Sequence, residues 1–325
     1  MEKPNLFSFA TSELSQDAFI CWLSSWAEPI YEKGPDVPLH DAATNFLKAL
    51  LELCEMSLPD VIEKIEIKRQ AERIDVAVII NEKTAILIED KTGTMQHGDQ
   101  LATYRNKYVR EYGEDNVAPI YLKTGDQCDY SDVDHAEFAC FRRQDFIAIL
   151  KAGRERGVSN QIYTDFLDHL ERWEESVNAY ATMKLQDWDT LQWIGFYKEI
   201  QKKVDGWEWW GYVPNQTGGF MGFSWHRKDN RYLQLEQKRL CFKIRVKDAD
   251  RSTRRDEWAS ALQHAKARGG LSIQKPDRFG HGETMTVAVY KDDYRLSNSS
   301  GVLDMVGTLK LLKQAEELAD AASVK

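Results

Sequence analysis

The chain has 325 residues, of which 42% are hydrophobic and 11% aromatic, so it is typical of a globular protein rather than a disordered one. This length favours two domains, and the sequence has neither the long apolar run nor the signal-peptide core of a membrane-spanning or secreted protein. The net charge of −9 argues against a generally basic nucleic-acid binder, and the five cysteines form no CxxC pair, so we expect a cytoplasmic protein with reduced thiols and no zinc cage.

Apolar residues recur at helical and strand spacings through the first half of the chain. In residues 12–27, Leu14, Ala18 and Cys21 lie three and four positions apart, which predicts a helix. The same criteria predict helices at 41–56, 97–112, 143–152 and 160–180, and strands at 62–68, 73–80, 84–91 and 118–124. Helices on both sides of a short mixed sheet indicate an α/β domain, for which we predict the bounds 1–182.

Beyond a predicted boundary at 181–187 the character of the sequence changes, and a short predicted helix is followed by an aromatic, glycine-containing run at 207–227. We predict strands at 231–237, 240–247 and 283–290, and helices at 188–204, 253–268 and 302–322. This order predicts a smaller α+β domain with an antiparallel sheet over 183–325. The aromatic residues fit the core of that sheet best, and stacking on exposed bases is the alternative.

The stretch RIDVAVIINEKTAILIEDKTGT (73–94) joins two aliphatic runs and carries four ionisable groups toward one end. A three-residue loop at 81–83 would make the two runs a hairpin in which Asp75 faces Glu89. Facing residues have Cβ atoms about 4.5–5.5 Å apart, so two carboxylates there repel unless a cation lies between them. Lys91 shares this face of the sheet. The purely apolar remainder predicts that the hairpin is central in its sheet.

These groups suit one kind of chemistry. Two carboxylates and a backbone carbonyl are hard oxygen ligands of the sort that Mg²⁺ or Mn²⁺ prefers. Lys91 beside them would orient a water molecule and stabilise the negative charge of a phosphoryl transition state. The competing interpretation is an ordinary salt bridge between Asp75 and Lys91. The sequence contains no Gly-rich phosphate loop, HExxH or GxSxG motif that would offer another site.

Over about residues 9–125, the sequence resembles the PD-(D/E)XK nuclease superfamily, which has an αβββαβ core. Asp75 matches the metal-binding aspartate of that family, although Ile74 replaces the proline of the motif. Glu89-Asp90-Lys91 matches the (D/E)-x-K element, in which the middle residue contributes its main-chain carbonyl.

Two further elements fit this resemblance. Glu13, on the first predicted helix, matches the acidic residue that many members bring to the metal. Gln100 and Tyr104 match the Q-x-x-x-Y signature of RecB-like members, and residues four apart on a helix face the same way. The set looks most like a bacterial branch with an uncharacterised C-terminal domain.

The resemblance implies a restriction-endonuclease-like fold and a divalent-metal-dependent nuclease that acts on DNA, in restriction, defence or repair. The implied catalytic residues are Asp75, Glu89, Lys91, Gln100 and Tyr104. The implied ligands of Mg²⁺ or Mn²⁺ are Glu13, Asp75, Glu89 and the carbonyl of Asp90. Many members of this family work as dimers, and the resemblance leaves open both a homodimer and an activating partner protein.

Each element also has an interpretation without catalysis. Glu13 would complement the helix macrodipole, and Asp17, one turn later, competes for its role. Gln100 and Tyr104 would be a helix-surface residue and a phenol at the edge of the core. The whole protein would then be a nucleic-acid-binding sensor on a nuclease fold, with little or no hydrolysis. A third alternative is an interaction protein that binds no divalent metal.

Positive charge is concentrated in residues 227–278, which contain 15 Lys and Arg against 7 Asp and Glu. Alternation along KRLCFKIRVK (238–247) places three cations on one strand face, and three arginines begin the next helix, where positive charge opposes the dipole. A nearby anion would offset that cost. The predicted nucleic-acid contacts are therefore Lys243, Arg245, Lys247, Arg251, Arg254 and Arg255.

Overall fold

The computed structural model describes residues 4–70, 74–93, 100–215, 218–247, 250–267 and 270–322. The chain divides into two compact units between Glu174 and Glu175. This division falls within a helix that ends at Asn178, shortly before the boundary predicted at residue 182. No helix in these described ranges has both the length and the apolar composition needed to cross a membrane.

The first unit alternates helices and strands as the sequence predicts. Its helices are α1 (Glu13–Ser25), α2 (Val37–Glu52), α3 (Gln100–Tyr112), α4 (Ser131–His135), α5 (Arg143–Glu155) and α6 (Gln161–Asn178). Its strands are β1 (Ile65–Arg69), β2 (Val76–Ile80), β3 (Thr84–Lys91), β4 (Val117–Lys123) and β5 (Ala139–Arg142). The sequence patterns gave no indication of α4 or β5, which are short. The predicted start of the third helix at 97 lies outside the described residues.

The strands of the first unit form one mixed sheet with the order β1-β2-β3-β4-β5. The first three strands are antiparallel, whereas β4 runs parallel to both β3 and β5. The predicted α/β architecture is thus confirmed, and the β2–β3 hairpin lies in the middle of the sheet.

The register of the hairpin follows from its turn. Asn81 and Glu82 adopt positive φ angles of 52° and 56°, and the Asn81 side chain accepts a hydrogen bond from the Glu63 N–H at 2.7 Å. Ile80 therefore pairs with Thr84, and Val76 pairs with Ile88. This is the predicted register, and it brings the residue before β2 opposite position 89.

Each face of the sheet is covered by a separate hydrophobic cluster. On one face Val78, Ile86 and Ile88 are buried together with residues of α1 and α2. On the other face Leu87 is buried together with Tyr108 of α3. Because successive strand residues point to opposite faces, β3 contributes to both clusters. The charged residues at its end therefore also divide between the two faces.

The second unit is an α+β domain, as predicted. Its helices are α7 (Thr190–Gln201), α8 (Arg251–Lys266) and α9 (Met305–Ala321). Its strands are β6 (Trp207–Val213), β7 (Phe220–Lys228), β8 (Arg231–Glu236), β9 (Arg239–Arg245), β10 (Ile273–Gln274) and β11 (Thr284–Tyr290). They pair antiparallel in the order β10-β11-β9-β8-β7-β6.

The aromatic run of the second unit contributes mainly to its core. Trp210, Phe223 and Trp225 are buried, and the indole N–H of Trp225 donates to Glu316 Oε1 on α9 at 3.0 Å. Tyr212 is the exception, because 57% of its surface is exposed. The favoured interpretation of this run as a sheet core is confirmed for the buried residues.

Candidate active site

Acidic groups from the two central strands meet at the end of the β2–β3 hairpin. Asp75 immediately precedes β2, and its Oδ2 accepts a hydrogen bond from the Asp90 N–H at 2.9 Å. This bond fixes the Asp75 carboxylate against the end of β3. Glu89 follows Ile88, which pairs with Val76, and it is therefore opposite Asp75 as the register predicts.

The ammonium group of Lys91 lies between these acidic side chains. Its Nζ is 2.8 Å from Glu89 Oε1 and 3.2 Å from Asp75 Oδ2. It also donates to the carbonyl oxygen of Asp90 at 2.9 Å. The cation required between the facing carboxylates is thus supplied by the lysine of the motif. The salt bridge that competed with the catalytic interpretation exists, and it is part of the same cluster.

Burial makes this cluster electrostatically unusual. The side chain of Glu89 is only 8% exposed and that of Lys91 only 14%. Burial raises the pKa of Glu89, against the opposing effect of its contact with Lys91. Burial alone would lower the pKa of Lys91, but Glu89 and Asp75 outweigh it and raise that pKa above its ordinary value. Without a metal, the side chain of Lys91 is therefore a charged ammonium.

The opposite face of β3 carries a polar chain that reaches α1 and β4. The Asp90 carboxylate accepts a hydrogen bond from Gln16 Nε2 at 2.5 Å. In turn, Gln16 Oε1 accepts one from the Thr124 hydroxyl at 2.7 Å. The Thr124 carbonyl accepts a hydrogen bond from the buried Arg143 guanidinium. This chain ties the end of β3 to its neighbours, so it fixes the backbone at Asp90.

A second carboxyl group, that of Asp17, lies beside Asp90. Both side chains are buried, and each affects the pKa of the other. Burial raises the pKa of Asp17 to about 6, with a further rise from the charge of Asp75. Burial also raises the pKa of Asp90 well above its usual range. Two carboxyl groups in such a contact share one proton, because two buried negative charges would repel.

Glu13 and Lys123 contact the peptide group that follows Lys91. The Thr92 N–H donates to Glu13 Oε1 at 3.0 Å, and Lys123 Nζ donates to the Thr92 carbonyl oxygen at 3.1 Å. Burial lowers the pKa of Lys123 to about 8, partly opposed by Glu13. A Cβ atom at Gly125 would lie 1.8 Å from the Thr92 carbonyl oxygen, so glycine is required there. Thr92 is therefore held tightly, and Glu13 lies at the rim of the cluster.

Two of the predicted catalytic residues, Gln100 and Tyr104, belong to α3. Gln100 begins α3, and its side chain lies outside the described residues. Tyr104 is 9% exposed and belongs to the same hydrophobic cluster as Leu87. Since Leu87, Glu89 and Lys91 share one face of β3, Tyr104 packs on the face that carries the acidic cluster.

The donor set fits a divalent cation. Asp75 Oδ2, Glu89 Oε1 and the Asp90 carbonyl oxygen all surround one point, and oxygen ligands of this kind suit Mg²⁺ or Mn²⁺. Glu89 Oε2 is buried and has no hydrogen-bond partner among the described residues, so it has a free coordination site. No three His, Cys, Asp or Glu side chains in the described part of the chain are grouped to hold a metal by themselves. The fit therefore depends on the main-chain carbonyl.

The six basic residues predicted to contact nucleic acid are divided by burial. Lys243 is 9% exposed and its Nζ donates to the buried Glu236 at 2.5 Å. Arg255 is 7% exposed, pairs with Asp256 and donates to the Gly280 carbonyl oxygen. These two cations are therefore used within the fold. Lys243 lies in the buried middle of β9, and Arg255 is one of the buried residues of α8.

The remaining four basic residues are accessible to different extents. Lys247 and Arg254 are exposed, Arg251 is half-buried, and Arg245 pairs with Glu283 at 3.1 Å on the surface. These four are therefore the ones able to meet an external anion.

Gln16 and Lys123 were not predicted as residues of the site, and Asp17 was considered only as an alternative to Glu13, although signals for all three existed. Gln16 and Asp17 follow Glu13 by three and four positions, so they lie on the same side of α1. Lys123 ends β4, which runs parallel to β3, and its Cα pairs with that of Lys91. Ends of adjacent parallel strands meet at one edge of a sheet, so Lys123 was predictable.

Comparison with known protein families agrees with this arrangement. The sequence model of the PD-(D/E)XK nuclease superfamily matches residues 4–203, which is more than half of the chain. The match covers the described part of the first unit and continues through α7. No curated protein and no solved structure matches the chain.

Proposed function

Because the chain belongs to the PD-(D/E)XK nuclease superfamily, we propose that it is a divalent-metal-dependent nuclease that hydrolyses phosphodiester bonds in DNA. One observation carries the proposal. Asp75 Oδ2, Glu89 Oε1 and the Asp90 carbonyl oxygen converge on a single point in a buried cluster that also contains Lys91. An arrangement of repelling carboxylates is hard to explain by stability, because an apolar replacement of similar volume would be as stable or more so.

The residues of the cluster would have two roles, metal binding and positioning of the attacking water. Asp75, Glu89 and the carbonyl of Asp90 would hold Mg²⁺ or Mn²⁺, with Glu13 assisting from α1. Such an ion activates water for attack on phosphorus and stabilises the charge on the phosphate oxygens. In the metal-free protein Lys91 is protonated, since Glu89 and Asp75 raise its pKa. With metal bound, Lys91 would lie beside the ligands, orient the attacking water and stabilise negative charge.

More distant residues would position the substrate. Gln100 and Tyr104 on α3 would orient the nucleic-acid strand or Lys91, because α3 packs on the face of the sheet that carries the cluster. In the second unit, the accessible cations would contact phosphates, which gives affinity without sequence specificity. Those cations are Arg245, Lys247, Arg251 and Arg254.

The test is a cleavage assay on labelled circular and linear DNA, each as single and double strands, in Mg²⁺, Mn²⁺ or EDTA. Lys91→Ala is assayed in parallel, with Lys64→Ala as the control because Lys64, which precedes β1, pairs with Glu82 at the exposed turn of the hairpin. We expect cutting that needs metal and is lost in Lys91→Ala alone. Cutting of circular DNA would identify an endonuclease, and cutting of linear DNA only would identify an exonuclease.

Two results would contradict the proposal. Cutting that persists in EDTA would remove the metal requirement, and equal cutting by wild-type protein and Lys91→Ala would remove the site. A folded protein that binds DNA but cuts none of the four substrates would favour the sensor alternative.

A further inference from the structure

The ammonium group of Lys91 has the same three oxygen neighbours as the metal in the proposed function. Those neighbours are Asp75 Oδ2, Glu89 Oε1 and the Asp90 carbonyl oxygen, at 3.2, 2.8 and 2.9 Å from Nζ. An ammonium carries three N–H bonds, so these contacts use its whole capacity. The lysine thus occupies the point at which the donor set converges.

A divalent cation and this ammonium cannot hold those oxygens together. Mg²⁺ binds oxygen at about 2.0–2.1 Å, which requires the two carboxylates and the carbonyl to close around it. The nitrogen of Lys91 fills that space, and two positive charges at such a distance would repel strongly in a buried site. One occupant must leave before the other enters.

We propose that Lys91 is a resident competitor for the metal site: its ammonium group neutralises Asp75 and Glu89 in the metal-free protein and must be displaced when a divalent cation binds. The inference rests on the metal site of the proposed function and adds a regulation of that site. Displacement would leave Lys91 on the same face of β3, beside the metal ligands. A positive group would thus become available to a substrate phosphate only when metal is bound.

Lys123, on the adjacent strand β4, provides a comparison for Lys91. Lys123 has its Cα paired with that of Lys91 and is more deeply buried, with 1% of its surface exposed. Its Nζ donates to the Thr92 carbonyl oxygen at 3.1 Å. Lys123 is therefore a second buried cation near the cluster, whereas Lys91 is the lysine whose Nζ contacts all three converging oxygens.

The test measures the affinity of the DNA-free protein for Mn²⁺, by electron paramagnetic resonance of the free ion and by calorimetry. Lys91→Met and Lys91→Gln remove the competitor and its charge in two different ways. Lys123→Met removes a nearby charge, and Lys64→Met removes a distant, exposed one. Circular dichroism establishes that each variant is folded.

We expect both Lys91 variants to bind Mn²⁺ about tenfold or more tightly than the wild type, which equals about 1.4 kcal/mol. Lys123→Met should tighten binding by clearly less, and Lys64→Met should leave it unchanged. Equal or weaker binding in the folded Lys91 variants would overturn the inference. So would an equal gain in Lys123→Met, because the effect would then be general electrostatics, or the absence of Mn²⁺ binding in every variant.

The failure of this inference and of the proposed function can be told apart. Metal-dependent cleavage by the wild type, without tighter binding in the Lys91 variants, would leave the nuclease standing and remove the competition. Tighter binding in those variants, with no cleavage of any DNA tested, would support the competition and contradict the nuclease.

Discussion

The two ends of the β2–β3 hairpin pair lysine with carboxylates in opposite surroundings. At the turn, Lys64 Nζ is 2.7 Å from Glu82 Oε1, with side chains 55% and 71% exposed. At the other end, Lys91 Nζ is 2.8 Å from Glu89 Oε1, with side chains only 14% and 8% exposed. The distances are almost equal, so geometry alone does not distinguish the pairs.

The two ion pairs differ in their exposure to water, and this difference determines their energetic contribution. Water screens the pair at the turn, and exposed ion pairs of this kind contribute little to stability. The buried pair has lost its hydration, and a second carboxylate, Asp75, is added to it. A fold has no need of such a cluster for stability, since apolar residues would fill the space as well. The comparison therefore supports the proposal that the catalytic site lies at the buried end of the hairpin, whereas the turn end is an ordinary protein surface.

The largest effect that this comparison predicts is on catalysis. Glu89→Gln removes a charged ligand from the buried end, so we expect kcat/KM for metal-dependent DNA cleavage to fall by at least about 100-fold. Glu82→Gln makes the same change at the turn and should leave kcat/KM unaffected. A Glu89→Gln protein with nearly wild-type activity would break the comparison.

The next effect is on stability without metal. Lys91→Met leaves Asp75 and Glu89 facing each other in a buried site, so we expect a loss of about 3 kcal/mol in the free energy of unfolding in EDTA. Lys64→Met, whose side chain is exposed, should unfold at the same urea concentration as the wild type. Urea titrations followed by fluorescence provide the measurement. If Lys91→Met unfolded at the same urea concentration as the wild type, the Lys91 ammonium would not stabilise the facing carboxylates in the folded protein.

The buried end could be predicted from the sequence because strand alternation and a three-residue turn are local properties. They fixed the register of Asp75 against Glu89, and with it the face that Lys91 shares. The direction of the Lys91 side chain could not be predicted in the same way. It depends on which oxygens the completed fold leaves unpaired, and the sequence alone left a salt bridge and a metal site open.

Contacts between distant elements account for what the sequence left open. The Asp17–Asp90 pair exists because α1 packs across the end of β3, and no local pattern contains that packing. Lys243 shows the converse error of a local rule. Strand alternation predicted that the Lys243 side chain is on a solvent-facing surface that could contact phosphate. In the structure both faces of β9 are buried, and the Lys243 ammonium donates a hydrogen bond to Glu236.

A third effect concerns the pH dependence of stability. The pKa of Asp17, near the buried end, is raised, whereas the pKa of Glu82, at the turn, is lowered. The pKa of Asp17 is raised to about 6 in the folded protein, from an ordinary value of 3.8. A raised pKa favours folding at low pH, so its contribution is complete below about 4 and is lost as the pH rises through about 6. Asp17→Asn should therefore flatten the fall in unfolding free energy over this window, measured in EDTA.

The matched control for this effect is Glu82→Gln. The pKa of Glu82 is lowered by its hydrogen bond to Lys64, so its contribution appears above its ordinary pKa and is lost as the pH falls. Glu82→Gln should therefore leave the decrease in unfolding free energy with rising pH unchanged. Parallel pH profiles for Asp17→Asn and wild-type protein would show that Asp17 does not hold a proton in the folded state.

The smallest effect extends the comparison of buried and exposed cations to the second unit. The side chain of Arg245 is 52% exposed, whereas the side chain of Lys243 on the same strand is 11% exposed and bonded to Glu236. If the basic segment contacts phosphates, Arg245→Ala should weaken DNA binding uniformly across sequences and reduce the salt dependence by about one charge. Lys243→Ala should instead lower the unfolding free energy, because it removes the shorter of two ion pairs of the buried Glu236 carboxylate, the other being with Arg239.

Fluorescence anisotropy over a range of KCl concentrations in EDTA would measure both variants without cleavage. The salt slope is the informative quantity, because a destabilised protein loses active molecules at every salt concentration while its slope stays the same. An unchanged slope in Arg245→Ala, together with a reduced slope in Lys243→Ala, would reverse the expected roles. Burial would then be a poor guide to which cations of this segment reach the nucleic acid.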